Sequence, residues 1–351
     1  MRKIPYKTLI ILLFTALQYT AAAHGPADDI IKEKTVSKVY LVNPDAGVDI
    51  SNKYGSIYVT TWNENKIGID VVIKVRGRNE EAVNKRLAGI NVELNPLKHL
   101  VSARTVIGSF SGGRTSIEIN YTVRIPKNGS IRLNNHYGPI VVDKIRGKSD
   151  IECRYGSVTI AELHEESNLL DIRYCDKSTI TYIRNGTIDA KYSKLQITKA
   201  GNLTYDSDYS DLKINEVGNL RYNSNYGDLN VATANSIEGN GNYMAFRFGS
   251  LHKNLSINTT YSSIRIGSIA ADAGNLNISS DYTNIDIGYN PRYAFNFDFS
   301  LKYAELQAAG LQFEVRKDSG TSKYYKGFYK TDGANTMTIN NSYGNVKLTR
   351  L

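Results

Sequence analysis

The chain has 351 residues, 41% of them hydrophobic, with 43 Lys+Arg against 34 Asp+Glu and a formal net charge of +9. That is enough apolar material for a real buried core, and it excludes a disordered or fibrous chain. Arg2, Lys3 and Lys7 account for part of the basic excess; the remaining +6 is spread without a long basic block, which argues against a nucleic-acid partner.

Residues 1–23 read as a signal peptide: the three basic residues open it, residues 9–17 are apolar, and Ala21-Ala22-Ala23 offers a small-residue cleavage site. The mature chain then begins near His24, and since that residue is not Cys, a lipid anchor there is not indicated. No later run reaches the roughly eighteen apolar residues of a membrane span. The expectation is an exported protein without a membrane span, in the periplasm, on the cell surface or outside the cell.

Ile50-x-Asn52-x-Tyr54-Gly55-Ser56-Ile57-x-Val59 is the first copy of a pattern that returns only at Tyr137. In between, residues 65–76 alternate as a strand (Ile67, Ile69, Val71, Ile73, Val75). Residues 79–89 carry a helix signature: Asn79 as cap, Glu80 and Glu81 in the first turn, Lys85 and Arg86 in the last, and Gly89 at the end. Strands near 90–95, 99–107 and 115–125 follow, and residues 126–129 turn the chain back into the repeat. Residues 24–130 are therefore expected to be a first coil plus an inserted cap that protects a sheet edge. Within it, Gly108 to Thr115 spells a P-loop with Arg114 in place of the phosphate-binding Lys. An alternating strand follows it rather than the helix a P-loop requires, so it reads as a flexible hairpin.

From residue 131 to 310 the chain repeats itself. Tyr137, Tyr155, Tyr174, Tyr192, Tyr209, Tyr226, Tyr243, Tyr261, Tyr282 and Tyr303 recur every 17 to 21 residues, and Tyr343 carries the same pattern once more. Positions −4 and −2 are apolar or small, as in Leu203-x-Tyr205-x-Ser207-x-Tyr209, and apolar residues stand at +3 and +5, as in Leu212 and Ile214. Each repeat is two short strands joined by a tight arc, with a second turn marked by Gly-Asn. Stacked at about 4.8 Å, such units build an all-β parallel β-solenoid of about eighteen residues per coil, right-handed by the preference of parallel crossovers. Parity with Leu and Ile predicts that the tyrosines form an internal structural ladder, beside a hydroxyl ladder of Ser207, Ser224, Thr259 and Ser280. Facing outward, they would instead be a carbohydrate-binding stripe. The same register sets Cys153 and Cys175 roughly 10 Å apart, as two separate thiols.

Residues 311–351 read as a C-terminal hairpin cap, turning at Lys317-Asp318-Ser319-Gly320, followed by a last repeat. The early Tyr-Gly-Ser-Ile-x-Val followed by Trp62, and the Tyr-Gly coils at Tyr137-Gly138, Tyr155-Gly156 and Tyr226-Gly227, resemble the bacterial putative-adhesin families, including the head-domain adhesin-like proteins. The resemblance spans roughly residues 40–350 and implies an exported β-solenoid of undetermined activity in an envelope or extracellular setting. It carries no catalytic residues.

Outward positions −3 and −1 place Glu152/Arg154, Asp171/Arg173 and Asp189/Lys191 on consecutive coils, an acidic row beside a basic row that an anionic or zwitterionic polymer could follow. The plainer reading is a lattice of surface ion pairs. Asp206, Asp208 and Asp211 bracket one arc, where calcium or simple solvation are the alternatives. The five histidines show no metal-ligand spacing, and no cofactor motif is present. The function predicted is a non-enzymatic, structural or adhesin-like binding module of the bacterial cell envelope, its partner a polysaccharide or another envelope protein. A polysaccharide lyase or hydrolase on the lateral face is the rival, and a left-handed solenoid acyltransferase a third reading, disfavoured by the absent hexapeptide rhythm.

Overall fold

The computed structural model describes residues 29–331 and 335–351; the expected signal peptide lies outside the described residues. Among them there is one helix, Glu80–Ala88, and the strands join into one large, mostly parallel sheet. Constant register is what organises it. The strand Lys194–Asp208 lies parallel to Asp211–Leu251 with Leu195 opposite Leu212, Ile197 opposite Ile214 and Tyr205 opposite Tyr222, all 17 residues apart. Leu133 opposes Ile151, and Ile151 opposes Leu170 in the same way. Every inward apolar residue thus sits on its counterpart in the next repeat, and the core is a narrow column of Ile, Leu and Val side chains with almost no exposure. Fully burying each such side chain contributes about 1.5–3 kcal/mol.

The first repeat, Gly47–Lys53 and Ile57–Trp62, pairs with Ile131–His136 and Pro139–Ile145 on one side and with Leu100–Ile107 and Thr115–Pro126 on the other. Beyond these the pairing turns antiparallel: Lys66–Gly77 runs between Ile30–Leu41 and Thr115–Pro126, and Ile90–Pro96 pairs with Leu100–Ile107. The helix forms where Asn79 Oδ1 accepts the Ala82 N–H at 2.8 Å, and it buries Val83. Lys32 bonds Glu80 at 2.9 Å and holds its carboxyl below the ordinary range. Ile30–Leu41 has no counterpart among the expected strands, because its alternation is only between half-buried and exposed positions. The Gly108–Thr115 segment is followed by a strand, and it connects two strands that do not pair with each other, so it is a connecting loop rather than a hairpin.

At the other end the repeats are out of chain order. Asn335–Ser342 pairs with both Leu276–Asp281 and Phe295–Lys302, and Val346–Arg350 with both Asn284–Tyr289 and Leu306–Ala308. The repeat of Tyr343 therefore lies between those of Tyr282 and Tyr303. Ser322–Tyr329 then runs antiparallel on Phe295–Lys302, and Gln312–Asp318 closes the sheet. The core here is aromatic, with Tyr289, Tyr293, Phe295, Phe297 and Phe299 buried together.

Candidate functional site

The tyrosines are not internal. Each of the repeat tyrosines from Tyr54 to Tyr343 has φ between 49° and 62°, and each is 41–51% exposed. Alternation assigns a residue to a face only while the backbone is extended. A left-handed residue at the corner rotates one side chain outward, so positions −2 and +1 both point in: Cys153, Ala190, Ser207 and Ser224 at −2, Cys175, Ser193 and Ser210 at +1 are buried. The chain remains in the ladder at these corners, since the N–H of Tyr137 still reaches the Arg154 carbonyl at 2.9 Å and that of Tyr174 the Lys191 carbonyl at 2.9 Å.

A bulky residue in this region costs on the order of 1–2 kcal/mol, and glycine or asparagine would avoid most of it. What offsets the cost is the stack. The rings run Tyr54, 137, 155, 174, 192, 209, 226, 243, 261, 282, 343 and 303, with centroids 4.6–5.2 Å apart and planes within 13° of parallel. At about 4.9 Å per step the row extends roughly 54 Å, the inter-strand spacing carried into the side chains. Each inner ring has both faces covered by its neighbours, so the row offers solvent its edges and phenols, not its faces. Partial desolvation within the stack, and then the neighbouring phenols, hold Tyr209 and Tyr282 above the ordinary tyrosine range.

Behind the row, small hydroxyl residues at +1 secure the corners. Ser193 Oγ accepts the Cys175 N–H at 3.1 Å and donates to the Lys191 carbonyl at 2.8 Å; Ser210 does the same for Ser193 N–H at 3.0 Å and the Asp208 carbonyl at 2.9 Å. The expected hydroxyl ladder at −2 is broken. Ser207 Oγ bonds Ser224 Oγ at 3.0 Å, but Thr259 turns to the Gly241 carbonyl and to Ser262, and Ser280 to Asn341. Cys153 and Cys175 are fully buried, and the bend at Tyr174 brings together groups that an extended strand would separate. Cys175 Sγ donates to the Cys153 carbonyl at 3.4 Å, and the hydrogen bond between the two thiols, then burial, pushes the Cys153 thiol up. Lys177 is itself left-handed, an extra residue that moves the inward positions of this repeat to Ser178 and Ile180.

The six charged residues of the expected face lie on one strand surface, Glu152 opposite Asp171 opposite Asp189 and Arg154 opposite Arg173 opposite Lys191. Arg154 bonds Glu152 at 2.6 Å, and Arg173 grips Asp171 with two bonds at 2.7 and 2.9 Å and approaches Asp189 at 3.7 Å. The Asp171 bonds hold the Arg173 guanidinium above its ordinary range. Further along, the same rows become amides: Asp206 opposes Asn223, Asp208 opposes Asn225, and Asn240 opposes Asn258. The far edge of the surface is an asparagine row, in which Asn219 Nδ2 donates to Asn202 Oδ1 at 2.7 Å and Asn185 Oδ1 accepts the Asn202 N–H at 2.8 Å. Between the edges are two shallow depressions. One of about 740 Å³ is lined by Thr187, Thr204, Arg221 and Glu238; one of about 430 Å³ by Asn223, Asn240, Asn258 and Ser279. Asp211 accepts the Asp228 N–H at 3.1 Å and faces Lys194 at 3.7 Å, and Asp208 takes Asn225 at 3.4 Å. Among the described residues no three His, Cys, Asp or Glu side chains converge as a metal site would require, and no helix is long and apolar enough to cross a membrane.

No protein-family model matches the chain, and no curated protein matches it. Solved structures that it is similar to include a putative adhesin from Parabacteroides distasonis, at 11% identity over 72% of this chain and 94% of that one, with a TM-score of 0.33. Another is a putative adhesin from Bacteroides fragilis, at 13% identity over 91% and 97%, with a TM-score of 0.23. A putative cell adhesion protein from Clostridium sporogenes matches at 10% identity over 91% and 100%, with a TM-score of 0.17.

Proposed function

We propose that the chain is an exported, non-enzymatic β-solenoid of about eighteen residues per coil, acting as a structural or adhesin-like binding module of the bacterial cell envelope. On this reading residues 24–130 are a first coil with its cap, 131–310 the regular coils, and 311–351 the closing hairpin and last repeat. The observation that carries it is the lateral surface: a strand face edged by the tyrosine and asparagine rows, on which carboxamides, hydroxyls and paired charges recur at the inter-strand spacing. Such a surface suits an extended polymer with regularly spaced hydroxyls, a polysaccharide, held by many weak contacts whose sum gives affinity. Glu152, Arg154, Asp171, Arg173, Asp189 and Lys191 form its charged stretch. A lyase or hydrolase would need carboxylates free for proton transfer, whereas Glu152 and Asp171 are each engaged by an arginine.

The test is binding of residues 24–351 to an array of neutral and acidic bacterial glycans, beside a variant with Arg154, Arg173 and Lys191 changed to Ser. Binding to acidic glycans that the folded variant loses supports the charged stretch, and binding without sugar release supports a module. Release of reducing ends reverses the non-enzymatic reading, and no binding to any glycan removes the polysaccharide.

A further inference from the structure

The outward rows of the lateral surface differ in how far their side chains are already engaged. Nearest the tyrosines they bond one another: Asn225 Nδ2 donates to Asp208 Oδ1 at 3.4 Å, and Asn242 Nδ2 to Asn225 Oδ1 at 3.3 Å. Farther out, Arg221 and Glu238 answer each other's charge at 3.2 Å. Between these rows stand Asn223, Asn240 and Asn258, all exposed, and none has a hydrogen-bond partner among the described residues. Asn240 opposes Asn258, and Asn223 belongs to the neighbouring repeat, whose Tyr226 stacks on Tyr243 at 4.8 Å. The row begins at Asp206, opposite Asn223, and ends at Ser279, opposite Asn258. These side chains line the depression of about 430 Å³. That volume is in the range of small-ligand sites.

We propose that this row binds an extended, uncharged β-1,4-linked glycan lying across the strands, one sugar to each strand. The site rests on the reading of the chain as a polysaccharide-binding module, and it assigns the class and the direction of the polymer. A free carboxamide offers an acceptor oxygen and two donor hydrogens side by side, the complement of two adjacent sugar hydroxyls. Neighbouring strands are about 4.8 Å apart, and a fully extended β-1,4 chain advances by nearly the same distance per sugar, so successive units meet successive amides. An α-1,4 chain of the same sugar coils and leaves the straight row. The charges choose the uncharged polymer. Arg221 is already engaged by Glu238, and Asp206, with no basic partner among the described residues, sets an unanswered negative charge at one end of the row. There it accepts from hydroxyls and repels a carboxylate. Each contact is weak, and affinity comes from their repetition.

The test is titration calorimetry and saturation-transfer NMR of residues 24–351 with cellohexaose, chitohexaose, maltohexaose and hexagalacturonate. Cellohexaose or chitohexaose should bind about tenfold or more tighter than maltohexaose and hexagalacturonate. Affinity should climb with chain length up to about five sugars, one for each strand from Asp206 to Ser279, and then level off. Asn240→Ala, at an exposed strand position, should weaken binding about fivefold or more, and the combined Asn223→Ala, Asn240→Ala and Asn258→Ala variant should bring it to the level of maltohexaose. The variant with Arg154, Arg173 and Lys191 changed to Ser should bind as the parent does. Maltohexaose or hexagalacturonate bound as well as the β-1,4 hexamers, or β-1,4 binding unchanged by Asn240→Ala and by the combined variant, would each overturn the proposal. Failure of both β-1,4 hexamers to bind overturns it too: the module reading then survives if another glycan binds elsewhere on the chain, and falls with it if none does.

Discussion

Replacing a tyrosine in the middle of the row should reverse the usual order of alanine and glycine. Tyr192 has φ 51° and stacks on Tyr174 at 5.0 Å and on Tyr209 at 5.1 Å, both within 2° of parallel. Each stacked pair contributes about 0.5–1.5 kcal/mol, so losing both costs about 1–3 kcal/mol. Tyr192→Ala loses the stack and keeps the left-handed strain, for an expected loss of about 2 kcal/mol. Tyr192→Gly loses the same stack but relieves strain of about 1–2 kcal/mol, partly cancelled by the greater freedom of an unfolded glycine, about 0.5–1 kcal/mol. Glycine should therefore be more stable than alanine by roughly 0.5–1 kcal/mol, opposite to its rank inside an ordinary strand. Tyr192→Phe keeps both ring faces and should stay within about 0.5 kcal/mol of the parent. Urea unfolding read by circular dichroism gives the comparison, with unchanged slopes required for the midpoints to be compared. An alanine variant at least as stable as the glycine variant would refute the argument that stacking compensates the corner.

Ser193→Ala removes the acceptor of the Cys175 N–H and should destabilise the chain by about 1–3 kcal/mol in the same assay, whereas Ser193→Thr should recover part of it. Burial pushes the Tyr121 phenol up to about 12, and Tyr205 and Tyr222 higher. The folded state keeps these protons longer than the unfolded chain, so their contribution is complete below pH 10 and is lost as pH rises. For Tyr121 alone that amounts to about 2 kcal/mol by pH 12. Phenolate absorbance should accordingly show a late stage, from Tyr121, Tyr205 and Tyr222, that coincides with loss of the β signal; ionisation of these three with the fold intact would contradict this. Cys153, buried and held protonated, should react with thiol reagents at pH 8 only at the rate of opening, accelerating in parallel with urea-induced unfolding.

The sheet architecture was legible because its cause is local. Alternating Ile and Val at 67–75 make a strand wherever they fall, and Asn79, with two acids after it and Gly89 at the end, starts and stops a helix without help from the rest of the chain. The direction of the tyrosines was not, because one residue with positive φ shifts the inside–outside count, and a bulky residue such as tyrosine is an outlier there. The clue was the odd step to the inward residue at +3, which requires a change of face between the two strands of each repeat; the positive φ values place it at the tyrosine. The charged rows were visible in sequence, but the bidentate grip of Arg173 on Asp171 was not. The placing of Tyr343 had no local sign either: Tyr282 and Tyr303 are 21 residues apart, just as Tyr261 and Tyr282 are, yet only the second pair are neighbours.

That interleaving makes the last residues of the chain an interior layer. Phe295–Lys302 leaves the ribosome before Asn335–Ser342, yet it has no seat on the stack until the later segment has settled against Leu276–Asp281. Growth of the parallel sheet strand by strand therefore cannot follow the order of synthesis at that edge, where Phe297 takes its parallel partner only from Met337. A deletion of residues 335–351 would not trim the sheet at its edge; it would withdraw a keystone and release the strands paired beyond it.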